Sequence, residues 1–335
     1  MKTTLYSILA AAACGMAFGQ TAYTNPVGYT TQALPANITT LVGLNVLTPT
    51  LASGTLTNVS GATLTDTAVD FTTTLVYAIP PSLTPTPIQM AVLEITSGTA
   101  AGTVQEFITY SGNTITLPSA ITGIAIGDKY SIRRAPFLQE IFPANTGVVA
   151  SAIGATGADV IWVPTGTGTY TKYWWKNGSP PVLHTTTTGT NDFSTVSSNI
   201  PLVYVDGILV QKKAAVGSLV LSGEVKKTNS RNLIVGLYPV SVTPSAGLTL
   251  FTAGLNIASA IGATGADIVW VPNGTGAFTK YWLKNGAPAV WHTTVNGTTD
   301  SGLAVDTNLP ACIYVQRKTG SLLLNLAVPS SYSSF

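Results

Sequence analysis

Apolar residues along this chain alternate with polar ones in short runs, and Gly or Pro interrupts nearly every longer apolar stretch. No segment carries an i, i+3, i+4, i+7 apolar stripe with polar flanks, so strands rather than helices are predicted throughout. The run Tyr170-Thr-Lys-Tyr-Trp-Trp-Lys176 is the clearest case. Alternation puts Lys172, Trp174 and Lys176 on one face and Tyr173 and Trp175 on the other. Asn177-Gly178 follows, the dipeptide of a two-residue type I′ turn, whose central residues both need positive φ. Pro180-Pro181 then makes the return strand an edge, or starts it after the prolines.

The same pattern occurs twice. Ala150 to Asp159 is repeated letter for letter as Ala258 to Asp267, and from 150 to 178 there are 23 identities in 29 positions at an offset of 108. Lys280, Trp282 and Lys284 thus match Lys172, Trp174 and Lys176, and Asn285-Gly286 matches the turn. Further on, Gln211-Lys-Lys213 meets Gln316-Arg-Lys318, and Gly217-Ser-Leu219 meets Gly320-Ser-Leu322. Upstream, Leu41-Val-Gly-Leu44 resembles Ile234-Val-Gly-Leu237, and residues 137–142 are the counterpart of Leu248-Thr-Leu-Phe251. Between these landmarks the first copy holds about 85 extra residues. They carry strands of their own at 91–96, 104–110, 114–117 and 129–132, with a turn at Ser111-Gly-Asn113.

The expected organisation is therefore an all-β chain of two homologous sandwich- or barrel-like units. The first unit is discontinuous (20–51 and 135–225), an inserted β domain fills 52–134, and the second unit spans 226–335. Residues 1–19 read as a secretory signal: Lys2, an apolar stretch from Leu5 to Ala13, then Ala17-Phe18-Gly19 as a small-x-small cleavage site. A lipidated Cys14 is disfavoured because Ala11-Ala12-Ala13 precedes it where Leu is normal. Cleavage would leave Cys312 as the one cysteine, in an apolar strand-like run where it reads as a small buried hydrophobe. The terminal Phe335 is a feature of outer-membrane barrels, but Ser333, Ser331 and Pro329 occupy the slots that alternating apolar residues should fill.

Composition sharpens this picture. Only 8% of the 335 residues are charged, against roughly 25% in ordinary soluble domains. Thr, 52 by count, takes much of the space. Thr with Val, Ile and Tyr suits a pleated surface. A nucleic-acid partner or a coiled coil would need Lys, Arg or Glu that are missing, and the Leu, Ile, Val and Phe content is too high for disorder.

Several motifs together resemble an uncharacterised family of secreted, β-rich bacterial proteins. These are Thr24-Asn-Pro-Val-Gly-Tyr29, Ile95-Thr-Ser-Gly-Thr-Ala-Ala-Gly102, Gly127-Asp-Lys-Tyr-Ser-Ile132 and Gly223-Glu-Val225, in the family's order. The resemblance implies a secreted bacterial β protein and no particular activity. The near-perfect duplication around Trp162 and Trp270 departs from the family pattern.

Candidate chemistry is sparse. A Trp between two lysines in one alternating row is expected on the solvent side, so Trp174 and Trp282 could stack on a sugar ring, with Lys172, Lys176, Lys280 and Lys284 beside them. The structural alternative is a cross-strand aromatic pair covered by lysine stems. Trp162 and Trp270 are expected in the core. His184 and His292, each eight residues before an Asp (Asp192, Asp300), could form a His–carboxylate pair, most simply a contact holding the Thr-rich loop. No metal or cofactor is expected. Asp159 and Asp267 read as turn residues, and Glu94 and Glu106, the least implausible pair for a glycosidase, are expected to face solvent. The reading that best fits these features is a secreted structural or cell-surface protein that self-assembles through strand edges. A carbohydrate-binding protein using Trp174 and Trp282 comes second, and a secreted hydrolase third.

Overall fold

The computed structural model describes residues 27–75, 91–106, 109–165, 168–196, 199–213, 215–242 and 247–329. The signal segment, Cys14 and Phe335 lie outside them. Among the described residues the chain is nearly all β, with several antiparallel sheets and only two four-residue helical turns, Phe71–Thr74 and Leu138–Ile141. No helix among them is long and apolar enough to cross a membrane.

In the first repeat a six-stranded sheet runs in spatial order Ser194–Thr195, Val182–Thr186, Tyr170–Lys176, Val160–Pro164, Gly207–Gln211, Thr39–Gly43. A separate ribbon pairs Val27–Leu34 with Gly217–Glu224. The second repeat builds a five-stranded sheet in the order Ser230–Ser241, Cys312–Leu326, Ile268–Pro272, Phe278–Lys284, Val290–Thr294. Its two long strands each do the work of two in the first repeat. Residues 230–235 pair with 321–326 as the ribbon does, and 237–241 pair with 312–316 as Thr39–Gly43 pairs with Gly207–Gln211. The register shifts between Val235 and Leu237, beside Gly236 with its φ of 61°.

That register corrects one part of the upstream match. Leu41 lies opposite Leu209, and the residue opposite Tyr314, the counterpart of Leu209, is Pro239. Leu41-Val-Gly43 therefore corresponds to 239–241 and not to Ile234-Val-Gly236. Similar letters misled because both segments are apolar and strand-forming. The other landmark stands. Leu138 N–H donates to Ile200 and Leu202 N–H to Pro136, and Leu250 with Thr307 and Leu309 with Leu248 repeat the arrangement.

Alternation along the strands gives each sheet two unlike faces. Ile161, Tyr173, Trp175 and Leu183 point into the first core, with Leu34, Val42, Leu138 and Phe142. Val269, Tyr281, Ile313 and Val315 do the same in the second. On the reverse faces Leu41, Leu209, Trp162 and Tyr170 meet Trp270, Phe278, Cys312 and Tyr314 in one cluster. Trp162 and Trp270 are thus half-buried between the repeats rather than inside either core, a correction to the expected placement. Cys312 is buried, and burial pushes its thiol pKa far up. The approach is close enough to demand glycine. A Cβ on Gly43 would lie 1.9 Å from the Ala311 carbonyl oxygen, and one on Gly207 would lie 2.3 Å from Cys312 Sγ.

The insertion forms two four-stranded sheets around Leu64, Phe71, Leu93, Ile95, Tyr130 and Ile132. Its strand Ala91–Ile95 turns Glu94 away from that core. Contrary to the expected solvent exposure, Glu94 is 2% exposed and pairs with the buried Lys226, while accepting from the Tyr204 and Thr228 hydroxyls, each at 2.6 Å. Burial acts to raise its pKa, but Lys226 and these hydroxyls outweigh it and hold Glu94 below its ordinary value. A second pair, Arg133–Glu224, ties the insertion to the ribbon.

Two outcomes follow for stability. Gly43→Ala should destabilise the protein by about 1–3 kcal/mol or more, read from the urea midpoint, because a methyl group must displace backbone. Lys226→Met should cost about 3–5 kcal/mol by leaving Glu94 buried and unpaired, and adding Glu94→Leu should recover most of the loss.

Candidate functional site: the duplicated hairpin and its surroundings

Each hairpin is built from the alternating strand, but its turn differs from the expected one. Lys176 pairs with Val182, so the loop spans five residues, 177–181, with Ser179–Pro180 cis, and neither Asn177 nor Gly178 has positive φ. The two prolines prevent pairing immediately after Gly178. The return strand accordingly starts at Val182, after the prolines. Asn177 serves a different purpose: its N–H donates to Ala152 O at 2.8 Å, as Asn285 does to Ala260 O. Those bonds dock the repeated loop, residues 150–159 and 258–267, onto the strand end.

Docking decides the fate of Trp174 and Trp282. Both are fully buried, covered by Ala152, Ala155 and Ala158 in one repeat and by Ala260, Ala263 and Ala266 in the other. The indole N–H groups donate to Thr185 O (3.3 Å) and Thr293 O (3.2 Å). The expected solvent position is therefore wrong for both tryptophans, and neither can stack on a sugar. The row of alternation was read correctly; a small-residue loop, distant in sequence, roofs it over.

The other candidates gather around the same tryptophans. Lys172 Nζ sits 4.1 Å from the Trp162 ring centroid, and Lys280 Nζ sits 4.1 Å from that of Trp270. His184 lies against Trp174 and meets Asp192 at 2.7 Å, and His292 lies against Trp282 and meets Asp300 at 2.7 Å. Lys176 and Lys284 reach the second oxygen of the same carboxylates at 2.6 and 2.9 Å. The Lys176 hydrogen bond, then His184, holds the Asp192 pKa below its ordinary value. For Asp300 the Lys284 hydrogen bond dominates, followed by the Gly302 N–H and His292. Each triad pins the Thr-rich loop to the hairpin.

Asp159 and Asp267 are structural anchors rather than turn residues. Asp159 accepts from Ala150 N–H and Lys213 N–H, each at 2.7 Å, and pairs with buried Lys212. Asp267 accepts from Ala258 N–H (2.8 Å) and Lys318 N–H (3.0 Å) and pairs with Arg317.

Two carboxyl groups stand apart from this pattern of paired charge. Glu106, expected on the surface, is half-buried with no hydrogen bond or ion pair to the described residues, and burial raises its pKa. Asp206 accepts from Asn232 Nδ2 at 3.1 Å and from the Tyr238 hydroxyl, yet burial pushes it up to about 7. The chain sequence carries no local signal for Asp206, because Asn232 and Tyr238 come from the other repeat. No group of three or more His, Cys, Asp or Glu side chains gathers among the described residues.

Comparison with known proteins finds no matching family model, no matching curated protein and no matching solved structure.

These carboxyl groups set opposite limbs of a pH profile. Asp192 and Asp300 contribute stability above the ordinary Asp pKa that is lost as pH falls through their lower folded values. Asp206 contributes stability below its unfolded pKa of about 4 that is lost as pH rises through about 7. The thermal midpoint should therefore fall below about pH 4 and again between about pH 4 and 7, and Asp206→Asn should flatten the second of these limbs.

Proposed function

We propose that this protein is a secreted structural or cell-surface component that pairs with a second copy through the strand Val27–Leu34. One observation carries the reading. The same ribbon occurs in both repeats, but only one outer edge is filled. In the second repeat Arg231 N–H donates to Gly102 O at 2.8 Å, and Thr103 bridges Arg231, so the insertion closes that edge. The pairing register makes Tyr29 the counterpart of Arg231, and the outer edge at Tyr29 pairs with no described strand.

Three other edges of the repeat sheets have covers. Thr39–Gly43 is sealed by the Gln32 amide, which donates to Gly43 O (2.7 Å) and accepts from Gly43 N–H (3.0 Å). Ser194–Thr195 shields one hairpin edge, and a bridge from Leu303 to His292 shields the other. Val27–Leu34 is eight residues long, carries no charge, and leaves Val27 and Tyr29 about three-quarters exposed. An uncharged, unpaired edge with apolar side chains is a template for strand addition, and two copies meeting at it close as an isologous pair. The predicted leader and the family resemblance support an extracytoplasmic setting.

Size-exclusion chromatography with light scattering should show a concentration-dependent dimer. Tyr29→Lys should shift it to monomer and leave the unfolding midpoint unchanged at protein concentrations where the wild type is itself monomeric. A wild-type protein that stays monomeric at every concentration would sink the reading.

A further inference from the structure

The insertion closes the outer edge of the strand Ser230–Ser241 at one point, the parallel bridge of Thr103 with Arg231. Beyond that bridge the strand Val104–Glu106 runs in the same direction as Ser230–Ser241, and a cleft of about 530 Å³ lies between them. Residues 103–106 border it in succession on one side, and residues 231–233 in succession on the other. Consecutive residues of a strand send their side chains to opposite faces, so a cleft that meets all of them is bordered by strand edges.

Hydrogen bonds near the bridge fix where the backbone groups point. Arg231 N–H donates to Gly102 O, away from Cys312–Leu326, and Leu233, two residues on, turns its N–H and C=O the same way. The neighbouring strand agrees. Asn325 N–H and Leu323 O, opposite Arg231 and Leu233, bond to the Asn256 side chain on their far side, at 2.7 and 2.9 Å. In the insertion Ile95 N–H donates to Thr103 O at 3.0 Å. Bonded pairs recur at every second residue of an antiparallel ladder, so the next is Leu93 with Gln105, and Val104 and Glu106 turn their backbone groups into the cleft. Val104–Glu106 is the last strand of its sheet, and no described strand pairs with Leu233 on the cleft side.

The two faces of a strand added here would meet different surroundings. Leu233, 58% exposed, and Leu323 opposite it line the outer side. Glu106 shares a strand face with the core residue Val104, which places it on the inner side. Asp206 lines the same side, where it accepts from Asn232 at 3.1 Å on the reverse of Leu233. Neither carboxyl group pairs with a cation among the described residues. Arg231, the cation on the lining, stands at the bridge and donates to the Thr99 carbonyl.

We propose that this cleft binds an extended peptide as an added strand, with apolar side chains outward on Leu233 and Leu323 and a Lys or Arg side chain inward between Glu106 and Asp206. The site is separate from the Val27–Leu34 edge, and it does not rest on the assembly reading.

Fluorescence polarisation on the full chain tests it, with a labelled, end-capped heptapeptide, Val-Thr-Val-Lys-Val-Thr-Val, as probe. The peptide should bind saturably below millimolar concentration. Exchanging its Lys for Glu, or methylating its backbone nitrogens at alternate residues, should each weaken binding by about tenfold or more. In the protein, Leu233→Pro removes an N–H that no described strand pairs with, a change that strand edges tolerate. That variant and Glu106→Gln should weaken binding on the same scale, with thermal melting showing both folded. Tyr29→Lys should bind as the wild type does. The proposal is overturned if the Lys peptide shows no saturable binding, or if the Glu or the N-methylated peptide binds equally well. It is also overturned if either cleft variant, folded, binds as the wild type does, or if Tyr29→Lys loses binding, which would place the peptide at the other edge. Should Leu233→Pro unfold, the peptide variants and Glu106→Gln decide the matter.

Discussion

Asp159 and Asp267 each draw two backbone N–H groups and one cation into a place almost closed to water. Removing a carboxylate from water is expensive unless its lone pairs are filled, and here they are filled by groups from both ends of a loop and from a neighbouring strand. Pinned at this foot, the loop of residues 150–159 has one way to lie: across the hairpin, with its alanines on Trp174. The indole in turn fixes the ring of His184, and the imidazole fixes the carboxylate that holds the Thr-rich loop. The second repeat follows the same sequence of dependencies from Asp267. Because the loops occupy one part of each reverse face, only the remainder, around Trp162 and Trp270, is free for the two repeats to share.

Scarcity of charge in this chain is a property of its outside more than of its inside. Seven of the thirteen acidic residues are in ion pairs, and several of those pairs lie deep: Glu94 with Lys226, Asp159 with Lys212, Asp267 with Arg317. They sit at junctions, between loop and sheet or between insertion and repeat, where geometry matters more than net stabilisation. Apolar residues of similar volume could hold such junctions as tightly.

The strands and the duplication were legible because their signals are local. Alternation places Tyr173 and Trp175 inward without reference to anything beyond the strand, and the repeated letters from 150 to 178 align at a constant offset of 108. What escaped depended on residues far away. The roof over Trp174 comes from a segment some twenty residues earlier, and nothing in the strand announces it. Asn177-Gly178 promises a tight turn, but the prolines after it postpone pairing, and the backbone of Asn177 is spent on Ala152. Glu94 and Asp206 look like any carboxylates on a strand or at its start; their partners Lys226, Asn232 and Tyr238 arrive from more than twenty residues downstream. The mismatch of Leu41 with Ile234 has a related cause, since letter similarity among apolar strands cannot resolve register and hydrogen-bond pairing can.

The contact between the repeats limits how this architecture can grow. Solenoid arrays lengthen because every unit offers its next neighbour a surface different from the one it has used. Here both units spend the same aromatic face on each other, and Gly43 and Gly207 let the backbones close to near contact. A third copy inserted in tandem would find that face already taken. The duplication is in effect a two-member ring written into one polypeptide, and a third copy would have to dock through a different surface.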